Sequence, residues 1–244
     1  MPSRLSDFKV LTFDCYGTLI DWESGIWDAL QPLLMKNHCD SISRNAALET
    51  FAKYESAHEF KTPSMLYPGI LKLVHRDIAH HFSLITDIEL DDAFSQSVQF
   101  WPAFSDTAEA LRVLKKHYKL IILSNIDLQS FTSSNRKLGV EFDGIYTAQE
   151  IGSYKPSSSN FQFMIERIYR DFGFKKNEIL HTAQSLFHDH VPAQQFGLTS
   201  AWIDRQLLAD QGKWGATAPV KDCPKVAFRF TSMIEMANAV KNTV

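Results

Sequence analysis

The run Phe8-Lys9-Val10-Leu11-Thr12-Phe13, continued by Asp14-Cys15-Tyr16-Gly17-Thr18-Leu19, decides how the rest of the chain is read. Five of the first six residues, all but Lys9, are apolar or β-branched without clean alternation, the pattern of a short strand covered on both faces of a parallel sheet. An aspartate then stands at the carboxyl end of that strand, with Gly17 available for a sharp turn. A carboxylate so placed serves as a nucleophile, a metal ligand or a plain turn cap. What other strands deliver to the same edge decides among these.

Further apolar runs read as strands at Tyr118–Leu123, Gly144–Thr147, Ile179–Ala183, Ser200–Ile203 and Val226–Phe230. Helices are expected between them: Thr107–His117, starting behind Ser105 and Asp106 as N-caps, Phe161–Tyr169 ending near Gly173, and Ser232–Val240. Strand and helix alternate from residue 105 onward, which predicts an α/β fold with a doubly wound parallel sheet. Residues 21–100 break the rhythm, reading as helices at Gly25–Met35, Asn45–Glu59, Tyr67–Phe82 and Leu90–Phe100. The expected organisation is a core of residues 1–20 and 101–244 with an all-helical insertion, residues 21–100, after the first strand. Such an insertion is placed to close over the carboxyl ends of the strands, where open α/β sheets bind ligands.

Chemistry-bearing residues follow the predicted strands in order: Asp14, then Ser124-Asn125, then Lys155 beside Pro156, then Gln184 through His188-Asp189-His190. On these motifs the chain resembles the haloacid dehalogenase superfamily over nearly its whole length. Asp14-Cys15-Tyr16-Gly17-Thr18 resembles the first motif, Ser124 the second, Lys155 the third and Gln184–Asp189 the fourth. The form Asp-x-Tyr-Gly-Thr is similar to that of the L-2-haloacid dehalogenases, and the helical insertion resembles their cap. The resemblance implies a Rossmann-like core, a nucleophilic Asp14 and an aspartyl-ester intermediate. Lys155 would hold Asp14 ionised, Ser124 and Asn125 would bind substrate or orient Asp14, and Asp189 would position Lys155 or the hydrolytic water. Tyr16, Trp22, Gln184, His188 and Phe161 are the expected substrate-binding residues.

Two positions separate this reading from a phosphatase. The superfamily's phosphotransferases carry an acid two residues after the nucleophile, where this chain has Tyr16, a phenol with an ordinary pKa of ~10. They also hold Mg²⁺ with carboxylates, and Gln184 is a neutral amide in that region. The expectation is a hydrolase with no metal and no cofactor. Departures from the dehalogenases point toward an altered substrate: Ala52 where a cap arginine is expected, Phe161 for a tyrosine and Leu186 for an asparagine. Arg44, Lys53 or Lys61 could replace the arginine. Three readings stay open: a 2-haloacid dehalogenase, the same scaffold working on an unhalogenated or secondary-metabolite substrate, and an atypical phosphatase.

Composition narrows the partners. With 25 basic and 28 acidic side chains and no basic block, nucleic acid is not expected. No apolar run approaches the ~20 residues of a membrane span. Met1–Arg4, expected to lead straight into a strand, gives no secretory signal, and three cysteines in a chain of 244 residues suit a reducing, cytoplasmic compartment. The expected partner is a small-molecule substrate, with an exposed apolar cap face as a candidate homodimer surface. The stretch from His58 to Tyr67 is expected as an apolar pocket wall, and Gln211–Ala216 as a loop.

Overall fold

The computed structural model describes residues 4–210, 212, 216 and 218–242. Met1, Pro2 and Ser3, and all of the expected loop except Gly212 and Ala216, lie outside the described residues. A short 3-10 turn, Leu5–Asp7, precedes the first strand rather than leading straight into it.

Among the described residues six strands form one sheet, in the order β3-β2-β1-β4-β5-β6 and parallel throughout. They are β1 (Val10–Phe13), β2 (Lys119–Ser124), β3 (Gly144–Thr147), β4 (Ile179–Ala183), β5 (Thr199–Ile203) and β6 (Phe228–Phe230). Val10, Ile121, Leu123 and Ile179 face one apolar cluster, while Leu11, Phe13, Leu120, Ile122 and Leu180 face another. Both faces are therefore buried, which explains why the strands read as apolar runs without alternation. Helix α8 (Ser158–Phe172) covers the first face through Phe161, Met164 and Ile168. Helices α5 (Thr107–Leu114), α6 (Leu128–Leu138) and α10 (Met233–Lys241) cover the second, and two short helices, α7 (Ala148–Ile151) and α9 (Val191–Gln195), follow β3 and β4.

Chain order reverses around β1: β2 and β3 lie on one side of it and β4 to β6 on the other. The switch point between β1 and β4 opens a crevice at their carboxyl ends. The register pairs Phe13 with Ile122 and Thr182, so Asp14 emerges at the level of the loops that follow β2 and β4.

Between β1 and α5 the chain is helical: α1 (Trp22–Lys36), α2 (Arg44–Lys61), α3 (Tyr67–His81) and α4 (Ile88–Ser95). The helix expected over Leu90–Phe100 is two pieces, α4 and a 3-10 turn at Ser97–Phe100. The helix expected to reach His117 stops at Leu114. Asp106 precedes α5 but makes no side-chain cap there. Its carboxylate instead accepts from Arg205 and from the backbone of Met233 and Ile234, holding the start of α10. No helix among the described residues is long and apolar enough to cross a membrane.

Candidate active site

Asp14 leaves the end of β1 with its backbone N–H still donating to Thr182 O at 3.1 Å, so the sheet sets its direction. Gly17, at φ 98°, turns the chain back so that its N–H reaches Ile20 O. That left-handed conformation favours glycine. The turn brings Thr18 under Asp14, where its hydroxyl donates to Oδ2 at 2.7 Å and accepts from the Gln184 N–H at 2.9 Å. One threonine thus joins the loop after β1 to the loop after β4.

Lys155 reaches the same point from the loop before α8. Its Nζ donates to Asp14 Oδ1 at 2.9 Å, Asp189 Oδ1 at 2.7 Å and Leu123 O at 3.2 Å. Asn125 clasps the Lys155 backbone, accepting its N–H at 2.6 Å and donating to its carbonyl at 3.0 Å. Asp189 comes from a π-helical turn, Leu186–His190, capped by Ser185, whose hydroxyl accepts from the His188 N–H at 3.1 Å. His181 on β4 lies 3.0 Å from Asp189 Oδ1 and 2.8 Å from the Thr12 hydroxyl, leaving Asp189 Oδ2 buried without a hydrogen-bond partner.

Charge follows from these contacts. Burial works against the charge on Lys155, but Asp14 and Asp189 outweigh it and hold the ammonium above its usual range. Burial pushes Asp189 up, yet Lys155 and His181 dominate and hold it below the usual carboxylate range. Asp14 has its carboxyl raised, by burial first and by neighbouring Asp189, while Lys155 and Thr18 pull the other way. Burial lowers His188 to about 4, so its imidazole is neutral at pH 7.

A cleft of about 90 Å³ opens over these groups, against roughly 10–15 Å³ for one water on the same measure. Asp14, Tyr16, Trp22, Ser124, Asn125, Lys155, Gln184, His188 and Asp189 all line it. The Tyr16 hydroxyl lies 2.8 Å from Ser134 Oγ, and burial pushes the phenol well above its ordinary value. Ser124 Oγ is buried without a partner.

Phe161 is a correction. It is wholly buried behind the cleft, its ring 5.2 Å from that of His181, and it is not among the residues that line the cleft. The stretch from His58 to Tyr67 is a second correction: Phe60 is 90% exposed, and the residues it contributes to the cleft are Glu59 and Tyr67, not an apolar wall. Nor do Arg44, Lys53 or Lys61 line the cleft; Arg44 donates instead to Ser24 Oγ. Sequence reasoning missed Glu55 and Ser56 and took Glu59 only as part of an apolar wall; with Ala52 these three form one face of α2 directed into the site. His190 is engaged elsewhere, Nε2 on Ala183 O and Nδ1 near Ser200 Oγ. Among the described residues no group of three or more His, Cys, Asp or Glu side chains is placed to hold a metal ion.

A family model for haloacid dehalogenase-like hydrolases matches residues 8–182, well over half of the chain. The chain belongs to the haloacid dehalogenase-like hydrolases. Within that family it is similar to an (S)-2-haloacid dehalogenase of Pseudomonas putida, 25% identical over 215 residues that cover 83% of this chain and 87% of the relative. Its fold is shared with an L-2-haloacid dehalogenase from Xanthobacter autotrophicus with chloropropionic acid covalently bound. That structure has a TM-score of 0.77 and 15% identity, covering 97% of this chain and 100% of that one. A putative hydrolase of the same family from Bacillus subtilis, bound to magnesium, gives a TM-score of 0.75 at 17% identity, covering 98% and 100%. This dehalogenase-like hydrolase is therefore similar in sequence to (S)-2-haloacid dehalogenases, and its fold is shared both with one of that kind and with a magnesium-bound relative.

Proposed function

We propose that this hydrolase cleaves a carbon–halogen or similar bond in a small organic molecule through an ester formed on Asp14. An Asp14 oxygen attacks the electrophilic carbon from the rear, and halide departs with the bonding electron pair. Water then attacks the ester carbonyl, which frees the hydroxylated product and restores the carboxylate. Lys155 keeps Asp14 ionised in a buried setting, because an opposite charge this close favours the charged form. Asp189 Oδ2, buried and unpartnered, is the acceptor that holds the hydrolytic water and takes its proton. Halide leaves without a proton, so a phenol at position 16 costs the first step nothing.

The observation that carries this reading is the shared ammonium: Lys155 binds both carboxylates that a magnesium ion would need. The remaining donor, Gln184, supplies a neutral amide, and Mg²⁺ prefers carboxylates and waters. The donor set is a poor fit for that ion, and we propose that the reaction needs none. The helical segment α1–α4 acts as the cap that closes the cleft, and (S)-2-haloacid dehalogenase relatives support this class of substrate.

Rapidly quenched protein mass after mixing with 2-chloropropionate and with 2-chloropropionamide tests the proposal. A gain equal to the substrate less hydrogen chloride on the peptide containing Asp14, resistant to EDTA and absent in Asp14→Asn, is expected. Full turnover by Asp14→Asn, or turnover only with added Mg²⁺, would overturn it.

A further inference from the structure

The face that α2 turns toward the cleft is Ala52, Glu55, Ser56 and Glu59, the spacing of one helical stripe. Glu59 is only 7% exposed, and its Oε2 accepts from Asn125 Nδ2 at 3.3 Å. Glu55 accepts from the Tyr67 hydroxyl. Across the cleft stand Asp14 and Asp189, so four carboxyl groups line a space in which Lys155 is the one ammonium or guanidinium side chain among the described lining residues. That ammonium is already bound to two of the four. An entering carboxylate finds no unpaired cation among the described lining residues.

The aromatic side chains Tyr16, Trp22 and Tyr67 line the same space. Aromatic faces beside carboxylates are the surroundings in which proteins hold ammonium groups. A second observation points to a ligand: Ser124 Oγ, on a residue 1% exposed and facing this cleft, has no hydrogen-bond partner. Left without an opposite charge, the two cap carboxyls are pushed up by burial, Glu55 to about 7 and Glu59 well above its ordinary value. A cation between them would favour their ionised form.

We infer that the cap side of the cleft, at Glu55 and Glu59, is a subsite for an ammonium group, so that the substrate carries a positive charge at the end remote from the carbon attacked. This deepens the proposed function and rests on it for the chemistry at the other end of the substrate. It also gives a reason why no cation stands at Ala52: a positive side chain there would repel the ligand. The small cleft suits a short alkylammonium chain.

Calorimetric titration of the whole protein with propylammonium, propionate and 1-propanol tests the subsite. Propylammonium should bind at least tenfold more tightly than either of the others. Glu55→Gln and Glu59→Gln should each weaken propylammonium several-fold while leaving 1-propanol unchanged. The ranking in the unaltered protein stands by itself if a variant fails to fold. Propionate binding as tightly as propylammonium, 1-propanol matching it, or an undiminished ammonium affinity in both folded variants would overturn the inference. None of the three probes has a leaving group, so a missing Asp14 ester would not disturb this ranking, and a failed ranking would leave the ester intact.

Discussion

Thr18 shows how one hydroxyl organises the site. It donates to Asp14 Oδ2 and accepts the Gln184 N–H, so it both orients the carboxylate and fixes the loop that leads to Asp189. Hydrogen bonds to charged groups are worth about 1.5–3 kcal/mol, which corresponds to roughly ten- to hundred-fold in rate if the bond is retained through the reaction. Thr18→Val should lower kcat/KM by about that range. The pH profile gives the sharper check. Asp14 must be ionised to attack, and its carboxyl already lies above 3.8 because it is buried; the Thr18 bond pulls it back down. Removing that bond raises the carboxyl further, so the acid limb of kcat/KM should move to higher pH in the variant. An unmoved limb with reduced activity would mean that Thr18 acts on the loop alone. At this scale Asp14, Lys155 and Asp189 were legible, because each is charged and follows a strand. Glu55 and Glu59 were not: an acidic stripe on a helix reads as a solvated face, and only the turning of α2 toward the cleft buries it. Phe161 misled for the opposite reason, since its position after Lys155 says nothing of the layer in which its ring packs.

Elements owe their positions to close contacts that the sequence marks only faintly. Gly25, inside α1, lies against Trp101, where an added Cβ would meet the indole at 2.2 Å. Trp101 is 1% exposed, its Nε1 donates to Ser97 Oγ at 3.1 Å, and its ring meets Tyr16 edge-on at 5.5 Å. The indole therefore cannot move aside freely, and Gly25→Ala forces α1 away from it. Overpacking of this kind costs about 1–3 kcal/mol, and in a chain of this size each kcal/mol shifts Tm by roughly 2–4 °C. A fall of about 2–12 °C in thermal melting is expected, with weaker substrate binding because Trp22 begins the same helix. An unchanged Tm would show that the indole repacks at no cost. The strands β3 and β4 have the bounds their apolar runs predicted. Helix α6 escaped notice because Ser130, Thr132, Ser133, Ser134 and Asn135 favour turns over helix interiors. It is held by its ends, where Asp127 accepts the Ser130 N–H and Gly139 turns left-handed at φ 68°.

For the whole molecule, the sheet order and the long helical segment after β1 act together. The loop after β1 at the switch point supplies the nucleophile, the segment between β3 and α8 its ammonium, and α1–α3 the opposite wall of the cleft. The parallel sheet was legible because strands buried on both faces leave a distinctive apolar pattern, whereas their order came only from the structure. The character of the opposite wall was not, because it depends on which face of α2 turns inward. The central claim, a covalent ester on Asp14, is tested most directly by a single turnover with enzyme in excess in ¹⁸O-water, using whichever chloride-releasing substrate the protein accepts. Water attacking the ester carbonyl should place the label in the peptide containing Asp14 and leave the first product unlabelled. Label found only in the product would mean that water attacks the substrate carbon directly, and would contradict the account.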